Sequence, residues 1–568
     1  MRLRAIERLP SSLLARPFGL ALRPLRQRFL RALEDPQASQ ERAWRRIQQE
    51  LAPSQRGEQL GLSAAHTLHD LRRIVPLSVY DDYALDLARA QSGIPRVFTR
   101  SAIVRFERSG GSTGPQKLLP FTRPFLREMA QAFLPWLADL YAQPGVDCGC
   151  SYWSLSPLGS PAAPTSGGIA VGADDDTSWF PAFLQPLLAR LLAAPSWLAR
   201  LSDVDVCRYV TLRLLLERED LTLISVWSPT FFTLLLQTFH TERERLLDDL
   251  ATGRCRPPAA TTREQELIDR WPFHALPARA QILVNAATAR DLWPKLSLLS
   301  MWTEGSSAAF VPEAQRLLGD VPLQGKGLLA TEGVISIPLG VSAGRTTPLA
   351  VAGHVFEFVD EQSRHVHFAW ELERGKTYQV VLTTSAGLVR YCLGDRVEVT
   401  GFLGRTPTLR FLGRAHTSDL VGEKLANALV DAVLPPLLPP STRFALLVPD
   451  DDARPPRYRL ILETDAGDAA CAAAARALDD KLSEGHPWRY ARALGQLGAI
   501  DVARITDGAR RYEAALLTRG TRAGDIKPSW LCTHKDLARL LAGHSTTPIL
   551  VHDDPKASRH DDHVAHPR

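Results

Sequence analysis

The loop sequence RSGGSTGPQKLLP (108–120) decides how the rest of the chain is interpreted. The segment before it, SAIVRF (101–106), alternates and is β-branched, which predicts a strand. The segment after it, FTRPFLREMAQAFLPWL (121–137), has apolar residues at helical spacing. We therefore expect the loop to join a strand to a helix.

Glycines in this loop allow backbone conformations that bring main-chain N–H groups close to an anion. Three hydroxyl groups and one lysine add further donors. The loop is therefore interpreted as a phosphate-binding loop, with ATP as the source of the phosphate. The predicted ATP- or AMP-binding residues of the loop are Ser109, Gly111, Ser112, Thr113, Gly114 and Lys117.

The loop does not have the Walker spacing, in which four residues separate the first glycine from a Gly-Lys-Ser/Thr triplet. Here two residues separate Gly114 from Lys117, and a leucine follows the lysine. An exposed Gly/Ser loop without a ligand is the alternative interpretation. The remainder of the chain favours nucleotide binding.

Length and composition limit the class of protein. A chain of 568 residues is too long for one core, and two to four domains are expected. A net charge of +5, spread over a surface of this size, gives no support for a nucleic-acid partner. The seven cysteines are scattered and odd in number, which favours a reducing, cytoplasmic location. No apolar run is long enough for a transmembrane segment.

The pattern of elements predicts an α/β protein. Residues 25–80 have helical character, and strands then alternate with helices through about residue 325. This order favours a largely parallel, layered α/β body. Ligands of such sheets bind at the carboxyl ends of the strands, where the loop at 108–120 is expected.

A second chemical motif is ATEG (330–333), between two predicted strands. Thr331 is a candidate hydrogen-bond donor to a phosphate or a base. Glu332 is a candidate ligand of Mg²⁺, which prefers hard oxygen ligands shared with phosphates. An exposed turn without a ligand is the alternative.

Two further motifs follow. In SAGLVRYCLGDRVEVTGF (385–402), Asp395 could accept hydrogen bonds from both hydroxyls of a ribose, and Arg390 and Arg396 could contact phosphate. A β-turn with solvated arginines is the alternative. In RFLGRAHTSDLVGEKL (410–425), a Gly-Arg pair that ends with Arg414 follows a strand, which indicates a domain boundary and a hinge.

Taken in order, these motifs resemble the acyl-adenylate-forming superfamily of acyl-CoA synthetases, luciferases and peptide-synthetase adenylation domains. Within it, the chain is most similar to the auxin-responsive Gretchen-Hagen-type acyl acid–amido synthetases, as a bacterial-like member. The resemblance extends over residues 75–535. The closer similarities are VPLSVYDDY, SGGSTGPQKLLPFT, SGGIAVGADDD, LISVWSPTFFTLL, HVFEFVD, GLVRYCLGDRVEVTGF, GRAHTSDLVGEKL and DIKPSW.

The chain departs from the family in two motifs. Gly110 and Gly111 stand where Ser or Thr is usual, and Thr331 precedes the glutamate where Ser is usual. The glycines weaken the expected hydroxyl contribution of the loop or move it to Ser112 and Thr113.

The resemblance implies a large layered α/β body of the adenylate-forming type with a smaller, mobile C-terminal α/β domain. The expected parts are an N-terminal helical segment packing on the body (1–80), a large ATP- and acid-binding domain (81–412), a small cap domain (413–544) and a disordered tail (545–568).

The resemblance also implies a two-step reaction. A carboxylic acid reacts with ATP to give acyl-AMP and pyrophosphate, and an amine, expected to be an amino acid, then displaces AMP to form an amide. The expected cofactors are ATP and Mg²⁺, with Glu332 as metal ligand. The implied catalytic residues are Glu332 and a lysine of the small domain, either Lys527 or Lys424, and Arg414 joins the nucleotide contacts.

Two other functions stay open. The same first step could serve an acyl-CoA (thioester-forming) ligase, and a nucleotide-binding, non-catalytic relative is compatible with the glycine-substituted loop. The apolar and aromatic residues at 226–232 and 301–303 indicate an aryl or fatty acid as substrate.

Overall fold

The computed structural model describes most of the chain, with interruptions. The described residues are 11–108, 117–154, 163–172, 185–341, 346–414, 417–418, 420–421, 423, 425–519, 521, 526–532, 534, 537, 541 and 548–549. They form two compact units, Met1–Ala415 with Leu516–Pro528, and His416–Ala515 with Ser529–Arg568. No helix among the described residues is long and apolar enough to cross a membrane.

Helices account for much of the first unit. They are α1 Ser11–Glu34, α2 Pro36–Leu51, α3 Gln55–Gln59, α4 Leu68–Ile74, α5 Ala84–Gln91, α6 Arg123–Leu140, α7 Gln185–Leu191, α8 Val204–Leu216, α9 Pro229–Thr241, α10 Arg243–Thr252, α11 Thr262–Ile268, α12 Pro277–Ile282, α13 Ala289–Leu292 and α14 Val311–Leu318. The N-terminal helix α1 packs on α6, and Arg26 of α1 donates to Asp139 of α6 at 2.9 Å.

Strands of the first unit form two larger sheets and two hairpins. They are β1 Ile103–Arg108, β2 Leu118–Thr122, β3 Cys150–Trp153, β4 Leu221–Ser225, β5 Leu298–Met301, β6 Leu323–Gly325, β7 Leu329–Ala330, β8 Gly333–Val334, β9 Val355–Asp360, β10 Val366–Phe368, β11 Thr377–Thr383, β12 Tyr391–Leu403 and β13 Thr406–Arg414.

The parallel sheet has the order β3-β4-β5-β6. Every residue of β4 and β5 is buried, which explains why LTLIS and LLSM are almost continuously apolar. Successive residues point to opposite faces, so Leu223 and Leu298 enter one core while Ile224 and Leu299 enter another. The predicted strand–helix alternation is confirmed for this part of the chain.

The second sheet of the unit differs from the expectation of a largely parallel body. Its order is β10-β9-β11-β12-β13, and all its pairings are antiparallel. Short connections join these strands, and short connections permit antiparallel pairing without a crossover helix. The α/β class is confirmed, with one parallel and one antiparallel sheet in the body.

The region around the predicted phosphate loop also differs in detail. After the loop, Leu118–Thr122 forms strand β2, which pairs antiparallel with β1. Helix α6 begins only at Arg123, where the Thr122 hydroxyl accepts from the N–H of Phe125. The loop therefore connects two strands of a hairpin, and the expectation that it leads directly into a helix is wrong.

The second unit contains the predicted strand–turn–strand–helix order. Its strands are β14 Thr417–Ser418, β15 Leu425–Ala426, β16 Thr442–Asp450, β17 Arg457–Thr464, β18 Asp501–Arg504 and β19 Pro548–Ile549. Its helices are α15 Asn427–Val433, α16 Asp468–Ser483, α17 His486–Ala493 and α18 Gly508–Thr518. The four-stranded sheet has the order β16-β17-β18-β19.

Two features of this unit depart from the expected boundaries. Leu516–Pro528 groups with the first unit, although the small domain was expected to be continuous over 413–544. Ile549 pairs with Val502, although it was expected in a disordered tail.

Candidate active site

The structure describes some of the predicted site residues and not others. Side chains are described for Lys117, Thr331, Glu332, Asp395 and Lys527. Arg414 is described as the last backbone position of β13. Outside the described residues lie Ser109, Gly111, Ser112, Thr113, Gly114 and Lys424.

Lys117 is held between two tyrosines at the end of the loop. Its Nζ donates to Tyr391 Oη at 3.0 Å and lies 5.2 Å from the centre of the Tyr80 ring. The N–H of Leu118 donates to Tyr80 Oη at 2.8 Å, which fixes the phenol against β2. Lys117 is therefore positioned next to the first residue of β12, the strand that carries Asp395.

Thr331 and Glu332 are the two residues that connect β7 to β8. Ala330 pairs with Gly333 across this tight hairpin. Glu332 is only 7% exposed. Burial raises the pKa of the Tyr80 phenol, and the nearby Glu332 carboxylate raises it further. Lys117 therefore lies beside the Tyr80 ring, and the charge of Glu332 acts on the same phenol.

A buried hydrogen-bond network behind this hairpin holds it in place, and this network was not predicted from the sequence. The N–H of Val334 donates to His354 Nε2 at 3.0 Å. His354 Nδ1 is hydrogen-bonded to Glu128, whose other carboxylate oxygen accepts from the N–H of Ser385 at 3.0 Å. Because Nε2 accepts, the proton of the imidazole lies on Nδ1.

Gly333 is required by the approach of this histidine. A Cβ atom at Gly333 would lie 2.9 Å from His354 Nε2 and 3.3 Å from Leu382 Cδ1. The first distance is shorter than side-chain atoms tolerate, so the Glu-Gly pair of ATEG has a steric cause. Gly333 is the residue of this region that already belonged to the ATEG motif in the sequence.

Asp395 lies in an irregular part of β12. Val381 pairs with Cys392 and Gln379 pairs with Arg396, so β12 has two extra residues at this point. Gly394, with φ of +82°, occupies part of this bulge. Bulges re-aim side chains and are frequent beside active sites.

The position of Asp395 also relates it to Arg414. The carboxylate is buried, with 1% of the residue exposed. Asp395 is directly opposite the backbone of Arg414 in the β12–β13 pairing.

The two arginines expected to contact phosphate serve the fold instead. Arg390 donates to both carboxylate oxygens of Glu357, at 2.8 and 3.0 Å, and to main-chain carbonyls of Arg72 and Val75. Arg396 forms a paired interaction with Glu361. Buried or half-buried guanidinium groups with these partners stabilise the sheet and its connection to α4.

Lys527 lies beside the parallel sheet. Its Nζ is 5.0 Å from the centre of the Trp302 ring. Trp302 follows β5 directly, and its main-chain N–H donates to the main-chain carbonyl of Trp227 at 3.1 Å. The lysine is therefore near the carboxyl edge of this sheet, where ligands of α/β folds bind.

One carboxylate of this group is suited to bind a divalent metal ion. Mg²⁺ is commonly held by one or two carboxylates together with substrate phosphates, and Glu332 is suited to such a site. Among the described residues, no group of three or more His, Cys, Asp or Glu side chains could hold a metal ion.

Family models match three consecutive parts of the chain. They are the GH3 family N-terminal domain over residues 25–323, the central domain over 347–414 and the C-terminal domain over 425–536. The first of these alone covers more than half of the chain.

Individual members of this family are also similar to the chain in sequence. The chain is 28% identical over 280 residues to a probable indole-3-acetic acid-amido synthetase, GH3.6, from Oryza sativa subsp. japonica, which covers 42% of this chain and 55% of that protein. It is 25% identical over 399 residues to a putative indole-3-acetic acid-amido synthetase, GH3.10, from the same plant, covering 66% and 78%.

A solved structure has the same fold. The GH3.15 acyl acid amido synthetase superposes with a TM-score of 0.77 at 19% identity, covering 91% of this chain and 95% of that chain. The resemblance found in the motifs is thereby confirmed, and the chain belongs to the GH3 family.

Proposed function

We propose that this protein is an ATP-dependent ligase that activates a carboxylic acid as acyl-AMP and transfers the acyl group to an amino acid, forming an amide. The observation that carries the proposal is the position of Lys117, whose ammonium donates to Tyr391 at the start of β12, the strand that carries Asp395. A cation is thus held where the predicted phosphate loop ends, and the charge of the buried Glu332 carboxylate raises the pKa of the neighbouring Tyr80 phenol. The names of the relatives, amido synthetases, support the same reaction.

The first step requires the protein to neutralise the negative charges of its two substrates. A carboxylate oxygen attacks the α-phosphorus of ATP, the bond to the β-phosphate breaks, and pyrophosphate leaves. Two anions must be brought together, so catalysis consists mainly of positioning and charge neutralisation. Lys117 and the main-chain N–H groups of the loop would bind phosphate oxygens. Mg²⁺, held by Glu332, would supply further positive charge.

Other residues would bind the rest of the nucleotide. Asp395 would accept hydrogen bonds from the ribose hydroxyls, and Arg414, whose backbone pairs with that of Asp395, would contribute a positive charge. Lys527 or Lys424 would neutralise the charge that develops at the α-phosphate. Lys527 is supported by its position beside Trp302.

In the second step, the amine nitrogen attacks the acyl carbonyl, the bond from that carbon to the phosphate oxygen breaks, and AMP leaves as the amine loses a proton. AMP is a far better leaving group than oxide, which is the reason for the first step. We infer that a swing of the C-terminal unit about Gly413 and Arg414 separates the two steps, as lid motions do in other enzymes.

We also infer a cytoplasmic location. All seven cysteines are free thiols, and several are buried. Free thiols in an odd number are typical of a reducing compartment.

The test measures acid-dependent exchange of labelled pyrophosphate into ATP by the purified protein. A panel of aryl, indole and fatty acids is used, because exchange requires only the first step. We expect exchange with at least one acid class. A protein that binds ATP but supports no exchange with any of them would be a nucleotide-binding relative, which contradicts the proposal.

Product analysis then separates the two ligase types. The acid that supports exchange is incubated with ATP and either a mixture of amino acids or coenzyme A, and products are identified by mass spectrometry. We expect an amide with an amino acid. A thioester in place of the amide would identify an acyl-CoA ligase.

A further inference from the structure

A buried lysine that the proposed mechanism does not use lies at the carboxyl edge of the parallel sheet. Lys326 follows β6 directly and is 4% exposed. Its main-chain N–H donates to the carbonyl of Met301 at 2.8 Å, which continues the pairing with β5. Its Nζ donates to Ser225 Oγ at 2.7 Å. The sheet thus fixes both the backbone and the ammonium group.

Three indole rings surround this ammonium. Nζ lies 4.9 Å from the centre of the Trp136 ring, 5.1 Å from that of Trp227 and 5.6 Å from that of Trp153. The rings of Trp136 and Trp153 pack against each other at 5.5 Å. Cation–π attraction to these rings offsets only part of the hydration that the buried ammonium has lost.

Among the described residues, no carboxylate balances the charge of this ammonium. Within the described part of the chain, no Asp or Glu lies within salt-bridge distance of Lys326, and its hydrogen-bond partner is a neutral hydroxyl. Burial lowers the pKa of the lysine to about 7. A buried ammonium without a counter-ion is costly, and a ligand that brings an acceptor or a negative charge would remove that cost.

The surroundings identify the kind of ligand. Trp153 ends β3, Ser225 ends β4 and Lys326 follows β6, so all three lie at the edge of a parallel sheet where ligands bind. Trp227 is 36% exposed, so one wall of this aromatic cage reaches solvent. Indole faces favour an aromatic ring as the neighbour of the ammonium.

The cage is distinct from the group around Glu332. Lys117 lies beside Tyr80, whose phenol also responds to the charge of Glu332, whereas Lys326 contacts Ser225 and the three tryptophans. The two groups have no residue in common. A ligand group bound at Lys326 is therefore a different group from one bound by Lys117 or Glu332.

We propose that Lys326 is a specificity-determining residue of the acid subsite, and that it binds a hydrogen-bond acceptor or second negative charge on the ring of an aryl acid. The inference rests on the proposed function, because it assigns the substrate class of the same site. Aryl acids with a ring hydroxyl or a second carboxylate are then preferred over plain aryl acids and fatty acids.

The test compares matched acids in the exchange assay. The probes are benzoate, 4-hydroxybenzoate, 3-hydroxybenzoate, terephthalate and octanoate. The variants are Lys326→Met, which keeps the length of the side chain without its charge, and Lys295→Met, which removes an exposed lysine of the same unit. Binding is measured in parallel through the change in the intrinsic fluorescence of the twelve tryptophans, three of which surround Lys326.

We expect the wild type and Lys295→Met to favour at least one substituted acid over benzoate by about tenfold or more in kcat/KM. Lys326→Met should lose this preference by a rise in KM for the substituted acids, while exchange with benzoate is kept or improved. The fluorescence titrations should show the same loss of affinity for the substituted acids.

Two results would overturn the inference. One is an unchanged ranking of the acids in Lys326→Met, and the other is an equal loss for all acids in a variant that is folded by circular dichroism. If Lys326→Met does not fold, Ser225→Ala is judged by the same criteria, since it removes the partner that orients the ammonium.

The experiments distinguish a wrong subsite from a wrong ligase function. Absence of exchange with every acid in the wild type contradicts the ligase function. Fluorescence binding of the substituted acids that depends on Lys326 would then still support the subsite. Exchange that is insensitive to ring substituents contradicts the subsite alone.

Discussion

Two carboxylates have central roles in the proposed reaction, Glu332 as a ligand of Mg²⁺ and Asp395 as an acceptor for the ribose hydroxyls. Glu332 and Asp395 are both buried in the first unit, one in a two-residue hairpin connection and one in a bulge. Buried carboxylates are costly unless a partner or a ligand compensates them. Their burial is therefore consistent with the roles proposed for Mg²⁺ and for ribose.

We predict that Glu332→Ala and Asp395→Ala each lower the rate of acid-dependent pyrophosphate exchange at least about tenfold. The reason is the loss of a charge-assisted contact, worth about 1.5–3 kcal/mol. Asp320→Ala, which removes an exposed carboxylate, is the control and should exchange normally. Wild-type exchange in both site variants would refute the assignments.

Among the elements, the β7–β8 hairpin depends on a histidine from a distant part of the chain. We predict that Gly333→Ala lowers both the exchange rate and the free energy of unfolding, the latter by about 1–3 kcal/mol, because its Cβ would press on His354 Nε2. Urea unfolding and the exchange assay measure the two effects. The matched control is Gly467→Ala, whose Cβ meets no atom within 4 Å.

A double variant shows whether the contact is the cause. In a His354→Ala background, where the clash is removed, Gly333→Ala should cost less than in the wild type. An equal cost in both backgrounds would mean that the glycine matters for another reason.

Helix α15 carries a carboxyl group that is sensitive to pH. Burial raises the pKa of Asp431 to about 6, and its Oδ1 has no hydrogen-bond partner among the described residues. The folded unit therefore binds more protons than the unfolded chain between about pH 4 and pH 6, so its stability falls as pH rises through this range.

We predict that Asp431→Asn removes this fall and stabilises the C-terminal unit at pH 7, by at most about 3 kcal/mol. Hydrogen exchange of peptides from 425–519, followed by mass spectrometry between pH 4 and pH 7, measures the effect. Asp480→Asn, which changes an exposed carboxyl on α16, is the control. A parallel pH profile of Asp431→Asn and the wild type would contradict the prediction.

At the scale of the whole molecule, the chain passes between its two compact units just after Gly413. This residue has φ of +130°, which favours glycine, and no described atom lies within 4 Å of an added Cβ. We predict that Gly413→Ala slows amide formation about threefold or more while changing pyrophosphate exchange less, because the inferred swing separates the two steps.

Separate assays of exchange and of amide formation measure the two steps. The control is Gly401→Ala in the same sheet, where φ is ordinary and the nearest atom to an added Cβ is 3.6 Å away. Equal slowing of both steps, or of neither, would argue against a hinge at Gly413.

Local sequence determined much about this protein. The parallel strands were predictable because burial on both faces demands continuous apolar residues. The family was predictable from short motifs whose residues are contiguous in the sequence. The placement of Glu332 in a turn between two strands was predictable in the same way. The roles of Arg390 and Arg396 were not, since their partners Glu357 and Glu361 lie more than thirty residues away.

Only the tertiary structure decided which distant residues meet. Nothing in LQGKGLLA distinguishes Lys326 from a solvated lysine until β3, β4 and β6 bring Trp153, Ser225 and Lys326 to one edge. The same holds for Glu128 and His354 behind the hairpin. A sequence pattern records the local period of burial, whereas desolvation and ion pairing depend on contacts across hundreds of residues.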